Sequence, residues 1–323
     1  MPMSLSGALS LIRSSIQKAA TDIGWLQSDL TRRAPRTFED YLLTADCVTS
    51  TAVPTGPTGT FQLLFEDNFD GTSLGRAWLP GRGTAQLMSQ MPYNNATERQ
   101  GYLPSQVVVQ NGNLELRAAA AAINASDEWG ETVAKTYKSG MVQSCTAFSL
   151  QHGVVEARIK IPTDVGYWPS FWMIDPAQRL DAAEIDIAEW LDVGGALKPH
   201  TFAHWGDYRT GETPGQVGGV WSSAAPGSDF HTYTLEWSRV AGNLGKLTGY
   251  FDGVQAGTVE NWNVPNQPLS FVLNLAVHAN TTPADATMYV DYVRAWKRYP
   301  DTSPMSDTDA QRVAMARMIG FGR

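Results

Sequence analysis

The feature that most constrains the fold is a succession of short β-prone runs between residues 61 and 299, separated by turn signals and by no long helical pattern. Residues 155–160, VEARIK, alternate strictly between apolar and polar side chains, which is typical of a strand with one solvent-facing side. Asn111-Gly112 and Asp252-Gly253 favour tight hairpin turns. The pattern therefore predicts an antiparallel β-sandwich or barrel. The predicted strands are Phe61–Phe65, Gln106–Val109, Leu114–Ala118, Gly140–Ser144, Val154–Ile161, Ser170–Ile174, Glu184–Glu189, Thr201–His204, Thr232–Ser238, Leu247–Phe251, Leu269–Leu275 and Met288–Trp296.

The two ends of the chain differ from this pattern. Residues 1–46 carry apolar side chains at alternating steps of four and three from Leu5 to Leu30, a heptad pattern that predicts a helix. It fits equally a helix packed on the main domain and a helix for self-association or for docking to a larger assembly. Residues 47–60, rich in Thr, Pro and Gly, are interpreted as a linker before the 61–299 domain. Residues 300–323 are interpreted as a tail that is either a short helix or a frayed terminus.

Composition limits the partners and the compartment. The net charge of −8 disfavours nucleic acid and anionic membranes as partners, and no apolar run is long enough to span a membrane. Leu9–Ile12 is too short for the apolar part of a secretion signal and is followed by Arg13, so no signal peptide is recognisable. Two cysteines, Cys47 and Cys145, leave open a single disulfide or two free thiols.

The segment Glu184–Glu189, EIDIAE, carries the candidate chemistry. Alternation along a strand places Glu184 and Asp186 on one face, and a one-residue β-bulge returns Glu189 to that face. Three like charges on one face raise at least one pKa, as a general acid requires near neutral pH. A retaining glycosidase needs two such carboxyls, here Glu184 as nucleophile and Glu189 as acid/base, with Asp186 between them. By chance alone this spacing is expected roughly 0.3 times in such a chain, so an acidic surface strand or a calcium site remains an alternative.

Longer segments around this strand resemble glycoside hydrolase family sixteen, the laminarinase-like enzymes. They follow the order of the family over about residues 61–299: Leu64–Gly71 (LFEDNFDG), Tyr137–Ser144 (YKSGMVQS), His152–Pro162 (HGVVEARIKIP), Gly166–Ile174 (GYWPSFWMI), His204–Gly206 (HWG), Asp229–Trp237 (DFHTYTLEW), Asn274–Val277 (NLAV) and Val290–Arg294 (VDYVR). The resemblance implies a concanavalin A-like jelly-roll β-sandwich whose concave face binds a linear β-glycan. It also implies that Glu184, Asp186 and Glu189 are catalytic and that catalysis needs no cofactor. The bulged spacing is similar to the laminarinase and galactanase branch.

The resemblance also implies substrate-binding and metal-binding residues. Trp168, Trp172 and His204 correspond to the lining of the family's cleft, although Trp172 fits a core position equally well. Trp205 is a further candidate at the cleft's flank. A structural calcium ion, common in the family, would be held by Asp291, the carbonyl of Gly112 and the region of Glu66. The aromatic rings and the histidine are side chains suited to binding a sugar, and the carboxylate and carbonyl oxygens are suited to binding a hard cation such as calcium.

Two segments depart from the family pattern and leave the substrate open. Asn94–Tyr102 has altered spacing, so Asn95, Glu98 and Arg99 are only candidates for sugar contacts. His278-Ala279 replaces a small pair of glycines, and His278 is expected to contact substrate or to lie on the cleft's rim.

Three functions are therefore carried forward. The first is an endo-hydrolase of β-1,3- or β-1,3/1,4-glucan, with a marine galactan such as agar, porphyran or carrageenan as the variant substrate. The second is a glycan-binding sandwich without catalysis, because a fold does not fix a function. The third places either of these, through residues 1–46 and 300–323, in an extracellular, cell-surface or virion assembly or in a homo-oligomer.

Overall fold

A computed structural model describes residues 50–81, 98–126, 132–144, 147–175, 183–206, 215–221 and 229–298. These residues form two β-sheets with one short 3-10 helix, Pro104–Gln106. The predicted helix in 1–46, the tail 300–323, Cys47, Cys145 and Asn95 lie outside the described residues. Among the described residues no helix has the length and apolar character needed to cross a membrane.

The first sheet, sheet A, follows the order β15-β14-β13-β8-β17-β5-β6-β3, with β1 paired to β17 and β4 paired to β5. All of its pairs are antiparallel except β3 with β6, which is parallel. Its strands are β1 (Phe61–Asp67), β3 (Gln100–Tyr102), β4 (Val107–Gln110), β5 (Asn113–Ser126), β6 (Thr132–Ser139), β8 (Gly153–Lys160), β13 (His231–Ala241), β14 (Leu244–Phe251), β15 (Val254–Asn261) and β17 (Ala286–Arg298).

The second sheet, sheet B, is antiparallel and follows the order β12-β11-β10-β9-β16-β7-β2. Its strands are β2 (Leu79–Pro80), β7 (Met141–Gln143), β9 (Tyr167–Ile174), β10 (Ala183–Asp192), β11 (Leu197–Trp205), β12 (Gly215–Val220) and β16 (Ser270–Val277). The predicted antiparallel β-sandwich is therefore confirmed, and the carboxylate segment forms β10 in the middle of sheet B.

The core lies between the two sheets and is rich in aromatic rings. The indole of Trp190 on β10 meets the ring of Tyr233 on β13 edge to face, with centroids 4.8 Å apart. Phe271 on β16 contacts Phe65 on β1 in the same manner at 5.7 Å. Each fully buried side chain of this size stabilises the fold by about 1.5–3 kcal/mol relative to exposure. These contacts fix the back of sheet B, so its other face is free to carry polar groups.

Each predicted strand overlaps a strand of the structure, and the two predicted turns are also present. Asn111, Gly112, Asp252 and Gly253 all have positive φ angles, as two-residue hairpin turns of this type require. Strands β2, β3, β6, β12 and β15 are not predicted by the apolar pattern. For example, β12 (GQVGGV) is glycine-rich, so the sequence shows no alternation of apolar and polar side chains although burial alternates along the strand.

The described part of the predicted linker, residues 50–60, contains no strand but contacts sheet A. The carbonyl of Ala52 accepts a hydrogen bond from Nε1 of buried Trp296 at 2.9 Å. The backbone N–H of Thr55 donates to Oε2 of buried Glu156 at 2.6 Å. This segment is therefore held on β8 and β17, and its Ala52 carbonyl gives the buried indole N–H of Trp296 a hydrogen-bond partner.

We expect Gly218→Ala to destabilise the edge of sheet B, because Gly218 has φ +151° and a Cβ there would lie 1.9 Å from the carbonyl oxygen of Thr201. The expected loss in the free energy of unfolding is about 1–3 kcal/mol. The matched control is Gly219→Ala on the same strand, where a Cβ meets no atom within 4 Å. Chemical denaturation of both variants measures the difference, and equal stabilities would contradict this account of β12.

Candidate active site

Strand β10 contains the irregularity that the carboxylate spacing predicts. Asp186 pairs with Trp172 of β9, but Ala188 pairs with the next residue, Phe171, so β10 holds one extra residue at this point. The pairing with β11 shifts in the same place, between Asp186 and Glu189. Ile187 and Ala188 are fully buried in the core. The bulge therefore returns Glu189 to the face of Glu184 and Asp186 while the apolar residues keep the core face.

The carboxyl of Asp186 lies at the centre of the site. It is only 4% exposed, and its Oδ2 is 2.9 Å from Nε2 of His204 on β11. Ligand-type atoms of Glu184, Asp186 and His204 all lie within 4.8 Å of one another. Such a grouping also occurs in metal sites, and here the Asp186 carboxyl is hydrogen-bonded to the His204 imidazole. Asp186 and His204 are thus hydrogen-bonded partners beside Glu184 in an acid cluster.

Burial sets the protonation of the cluster. It raises the pKa of Asp186, because little solvent reaches the charged form. Burial, followed by the charge of Asp186, raises the pKa of Glu189 to about 8, while the hydrogen bond from Trp168 and the proximity of His204 oppose this rise. At neutral pH the pair therefore retains a proton. A carboxylic acid held protonated in this way can donate a proton to a leaving group.

Trp168 on β9 contacts Glu189 directly. Its indole Nε1 donates to Oε1 of Glu189 at 2.8 Å, and the ring is partly exposed. On its other side the indole stacks on the imidazole of His278, with centroids 5.2 Å apart and planes inclined by 10°. The sequence identifies Trp168 as a cleft residue, but the contact with His278 cannot be inferred from spacing.

Trp172 is buried rather than open to the cleft. It is 5% exposed, and its Nε1 donates to Oδ1 of Asn274 at 2.7 Å. The amide of Asn274 in turn donates to the hydroxyl of Tyr102 at 3.1 Å. Its register opposite Asp186 places Trp172 on the carboxylate face, in a buried cluster that is separate from the core between the sheets. The sequence leaves a core position and a cleft position open for this residue, and a direct sugar contact stays a prediction.

Two ring-bearing residues on β11 extend the carboxylate face and are missed by the sequence analysis. His200 stacks on Phe202 at 5.8 Å, and Phe202 meets His204 at the same centroid distance. Alternation along β11 places all three on one face, beside Glu189, Asp186 and Glu184. The alternation of residues 200, 202 and 204 is the signal that could have identified them.

The other two predicted substrate contacts that the structure describes, Trp205 and Arg99, have different neighbours from those expected in a cleft. Trp205 follows His204 and so faces the opposite side of the sheet, as buried Ala203 does, which disfavours a sugar contact. The guanidinium of Arg99 donates to Oγ1 of Thr136 at 3.0 Å and to the carbonyl of Thr281. Arg99 thus ties structural segments together, and its role in substrate binding stays a prediction.

The expected calcium ligands are already paired with arginines. Oε1 of Glu66 on β1 accepts from Nε of Arg294 at 2.7 Å, and Oδ2 of Asp291 on β17 accepts from Nη1 of Arg158 at 2.6 Å. Gly112 lies in the turn between β4 and β5. Since each carboxylate is already neutralised by a cation, these side chains as placed fit a calcium ion poorly. The calcium stays a prediction, and no property of the active site depends on it.

A two-sheet β-sandwich in which one sheet carries three carboxyl side chains and aromatic rings on one face is typical of the class of β-sandwich glycoside hydrolases. The chain belongs to glycosyl hydrolases family 16, whose family model matches residues 99–294 of the 323. A second model, beta-glucan synthesis-associated protein SKN1/KRE6/Sbg1, matches residues 16–180, which end before the carboxylate strand. The family expected from the sequence is thus confirmed.

Relatives and solved structures agree with this membership. The chain is 28% identical to glucan endo-1,3-beta-glucosidase A1 of Niallia circulans, over 77% of this chain and 40% of that protein. It is 29% identical to endo-1,3-1,4-beta-glycanase ExsH of Rhizobium meliloti, over 68% of this chain and 46% of that protein. The chain therefore spans less than half the length of these relatives. The endo-beta-1,3-glucanase structure from Pyrococcus furiosus aligns with a TM-score of 0.57 at 25% identity, covering 76% of this chain and 98% of that one.

We expect the raised pKa of Glu189 to make the folded protein less stable as the pH rises. Between about pH 4.5 and pH 8 the folded state keeps a proton that the unfolded state releases, so stability is full below this window and declines through it. Glu189→Gln removes this dependence. The melting temperature of the variant minus that of the native protein should therefore increase as the pH rises from about 5 to about 9.

The control for this measurement is Glu260→Gln, which removes a surface carboxylate paired with Lys246. Thermal unfolding monitored by circular dichroism at each pH gives the two differences. A Glu189→Gln difference that stays constant with pH, as we expect for the control, would show that Glu189 holds no proton in the folded state.

Proposed function

We propose that this chain hydrolyses internal β-glycosidic bonds of a linear polysaccharide by double displacement, with retention of anomeric configuration. The observation that carries the proposal is the bulge in β10. It presents Glu184, Asp186 and Glu189 on one face of sheet B, where burial favours the protonated form of the last. Neither a regular strand nor an exposed acidic surface would combine these two properties.

In the first step Glu184, as carboxylate, attacks the anomeric carbon of the bound sugar. Glu189, as carboxylic acid, gives its proton to the glycosidic oxygen, so the bond between that oxygen and the anomeric carbon breaks. The products are a released chain end and a glycosyl ester on Glu184. Trp168 orients the acid through its hydrogen bond to Oε1 of Glu189.

In the second step Glu189, now a carboxylate, takes a proton from water, and the water oxygen attacks the anomeric carbon. The ester bond to Glu184 breaks, and both carboxyl groups return to their starting states. Two inversions at the same carbon give net retention. Burial, and after it the charge of Asp186, raises the pKa of Glu189 and so helps to keep the acid protonated before each cycle.

The substrate we propose is a β-1,3- or β-1,3/1,4-glucan. The named activities of the Niallia circulans and Rhizobium meliloti relatives support it. A galactan remains the second candidate, because the chain is also 30% identical to keratan-sulfate endo-1,4-beta-galactosidase of Sphingobacterium multivorum over 60% of its length. The net charge of −8 disfavours a sulfated, anionic polymer and so favours the neutral glucan.

A polymeric substrate of this kind places the site of action outside the cytoplasm, in an extracellular, cell-surface or virion setting. Docking or self-association through residues 1–46 and 300–323 is a proposal that rests on the heptad pattern of the first segment and on the possible short helix in the second. Neither segment belongs to the described residues. A structural calcium ion is likewise a proposal, one that requires rearrangement of the Glu66–Arg294 and Asp291–Arg158 pairs.

The purified protein should release reducing ends from laminarin and lichenan, and less or none from agarose, porphyran, carrageenan and keratan sulfate. Proton NMR during the first minutes should show the β-anomer as the initial product, because the mechanism retains configuration. Glu184→Gln keeps the shape of the side chain without its charge and should lower kcat by at least about 10³-fold.

The panel separates the candidate functions. Turnover confined to a galactan would replace the proposed substrate but leave the mechanism intact. Absence of turnover on every polymer, together with glucan binding by affinity electrophoresis, would contradict the hydrolase proposal and favour a glycan-binding sandwich. An α-anomer as the first product would contradict the role of Glu184 as nucleophile.

A further inference from the structure

His278 contacts the acid/base residue only through an intermediate ring. Its imidazole lies nearly parallel to the indole of Trp168, at a centroid distance of 5.2 Å and an angle of 10°. The same indole donates from Nε1 to Oε1 of Glu189 at 2.8 Å. Three side chains thus form a chain of contacts, from a residue after β16, through β9, to the bulge in β10.

Both the N–H and the carbonyl of His278 form backbone hydrogen bonds, so the position of its main chain is well defined. Its N–H donates to the carbonyl of Gly166 at 3.0 Å, immediately before β9. Its carbonyl accepts from the N–H of Thr281 at 3.3 Å and from the Oγ1 of the same residue at 2.9 Å. His278 also forms an antiparallel bridge with buried Glu98. A ring held on such a backbone restricts the rotamers open to the indole that packs on it.

A partly exposed indole held by one hydrogen bond would lose that bond whenever its ring rotates, because the N–H direction turns with the ring plane. The stack on His278 blocks this rotation on one face. We propose that His278 is a positioning residue, which holds the Trp168 indole so that its N–H stays on Glu189 and orients the acid/base carboxyl. This inference rests on the proposed function for its catalytic meaning, although the contact itself does not.

The charge of the His278 ring agrees with this role. Burial lowers the pKa of His278, and Asp192 only partly opposes this, so the ring stacks as a neutral imidazole at neutral pH. It therefore adds little charge to the surroundings of Glu189. Within the described ranges, the ionisable groups on the face of Glu189 come from its own strand and from β11: Asp186 and His204, which act on its pKa, and also Glu184 and His200.

The experiment follows the titration of the Glu189 carboxyl carbon by NMR in protein labelled with carbon-13 at glutamate, with Glu189→Gln to assign the signal. The hydrogen bond from Trp168 lowers the pKa of Glu189. Trp168→Phe should therefore raise this pKa, and the size of its shift measures the complete loss of the indole N–H donor. His278→Ala should shift the pKa in the same direction. His278→Phe restores a flat ring and should return the pKa close to that of the native protein.

The double variant His278→Ala/Trp168→Phe should titrate like Trp168→Phe alone, since His278 acts only through the indole. In kinetics, His278→Ala should move the alkaline limb of kcat/KM to higher pH and lower kcat by about tenfold with a smaller change in KM. His278→Leu, which has similar bulk without a planar ring, replaces His278→Ala if the latter does not fold.

The outcomes distinguish this inference from the proposed function. If no glucan is cleaved but the titration shifts in His278→Ala and recovers in His278→Phe, the positioning role stands and the hydrolase proposal fails. If glucan is cleaved while His278→Ala leaves both the titration and the alkaline limb unchanged, the positioning role is wrong. A His278→Phe variant that behaves like His278→Ala would also overturn it, because the flat ring would not be the cause.

Discussion

One extra residue in β10 is the constraint on which the site depends. A strand exposes alternate residues, so Glu184 and Glu189, which are five positions apart, would face opposite sides of a regular sheet. The bulge between Asp186 and Ala188 resolves this conflict and keeps Ile185 and Ile187 in the core. Apolar burial on one side thereby forces the acids together on the other. Their crowding costs stability, which is the usual cost of a functional cluster of like charges.

Packing between the two sheets offsets this loss of stability and holds sheet B in place on its core face. Trp190 follows Glu189 directly, and its fully buried indole packs on Tyr233 of the opposite sheet. The main chain of Glu189 is therefore joined to a residue whose position is fixed by the core, while its carboxyl points to the opposite face. On the open face, the indole of Trp168 contacts the same carboxyl. The packing of Trp190 and the hydrogen bond from Trp168 together define the position of the Glu189 carboxyl, which holds the proton.

Much of this arrangement could be predicted from local patterns. Alternation gave the strands around VEARIK, Asn-Gly and Asp-Gly pairs gave two turns, and the carboxylate spacing required a bulge. Strand β6 and the glycine-rich β12 have no such alternation and were missed. For β12, the pairing partner β11 supplies the backbone bonds that define the strand. The apolar pattern depends on side chains, so a strand in which three of six residues are glycine shows no period in its sequence even though its burial alternates.

Contacts between distant elements could not be predicted, because they depend on packing rather than on sequence spacing. The stack of His278 on Trp168 joins two segments separated by more than a hundred residues along the chain. The ion pairs of Glu66 with Arg294 and of Asp291 with Arg158 are of the same kind, and the sequence pattern that suggested a calcium site does not indicate them. Likewise, the opposite facing of Trp205 follows only once the register of β11 with β10 is known.

In the proposed mechanism the carboxylate of Glu184 attacks the sugar while Glu189 carries the proton. Trapping with a 2-deoxy-2-fluoro-β-oligoglucosyl fluoride tests it most directly, because the fluorine slows the second step and lets the glycosyl ester accumulate. Peptide mapping by mass spectrometry should find the added sugar on Glu184 alone. A label on Glu189, or complete turnover with no ester formed at any carboxyl group, would contradict the assignment of the two residues.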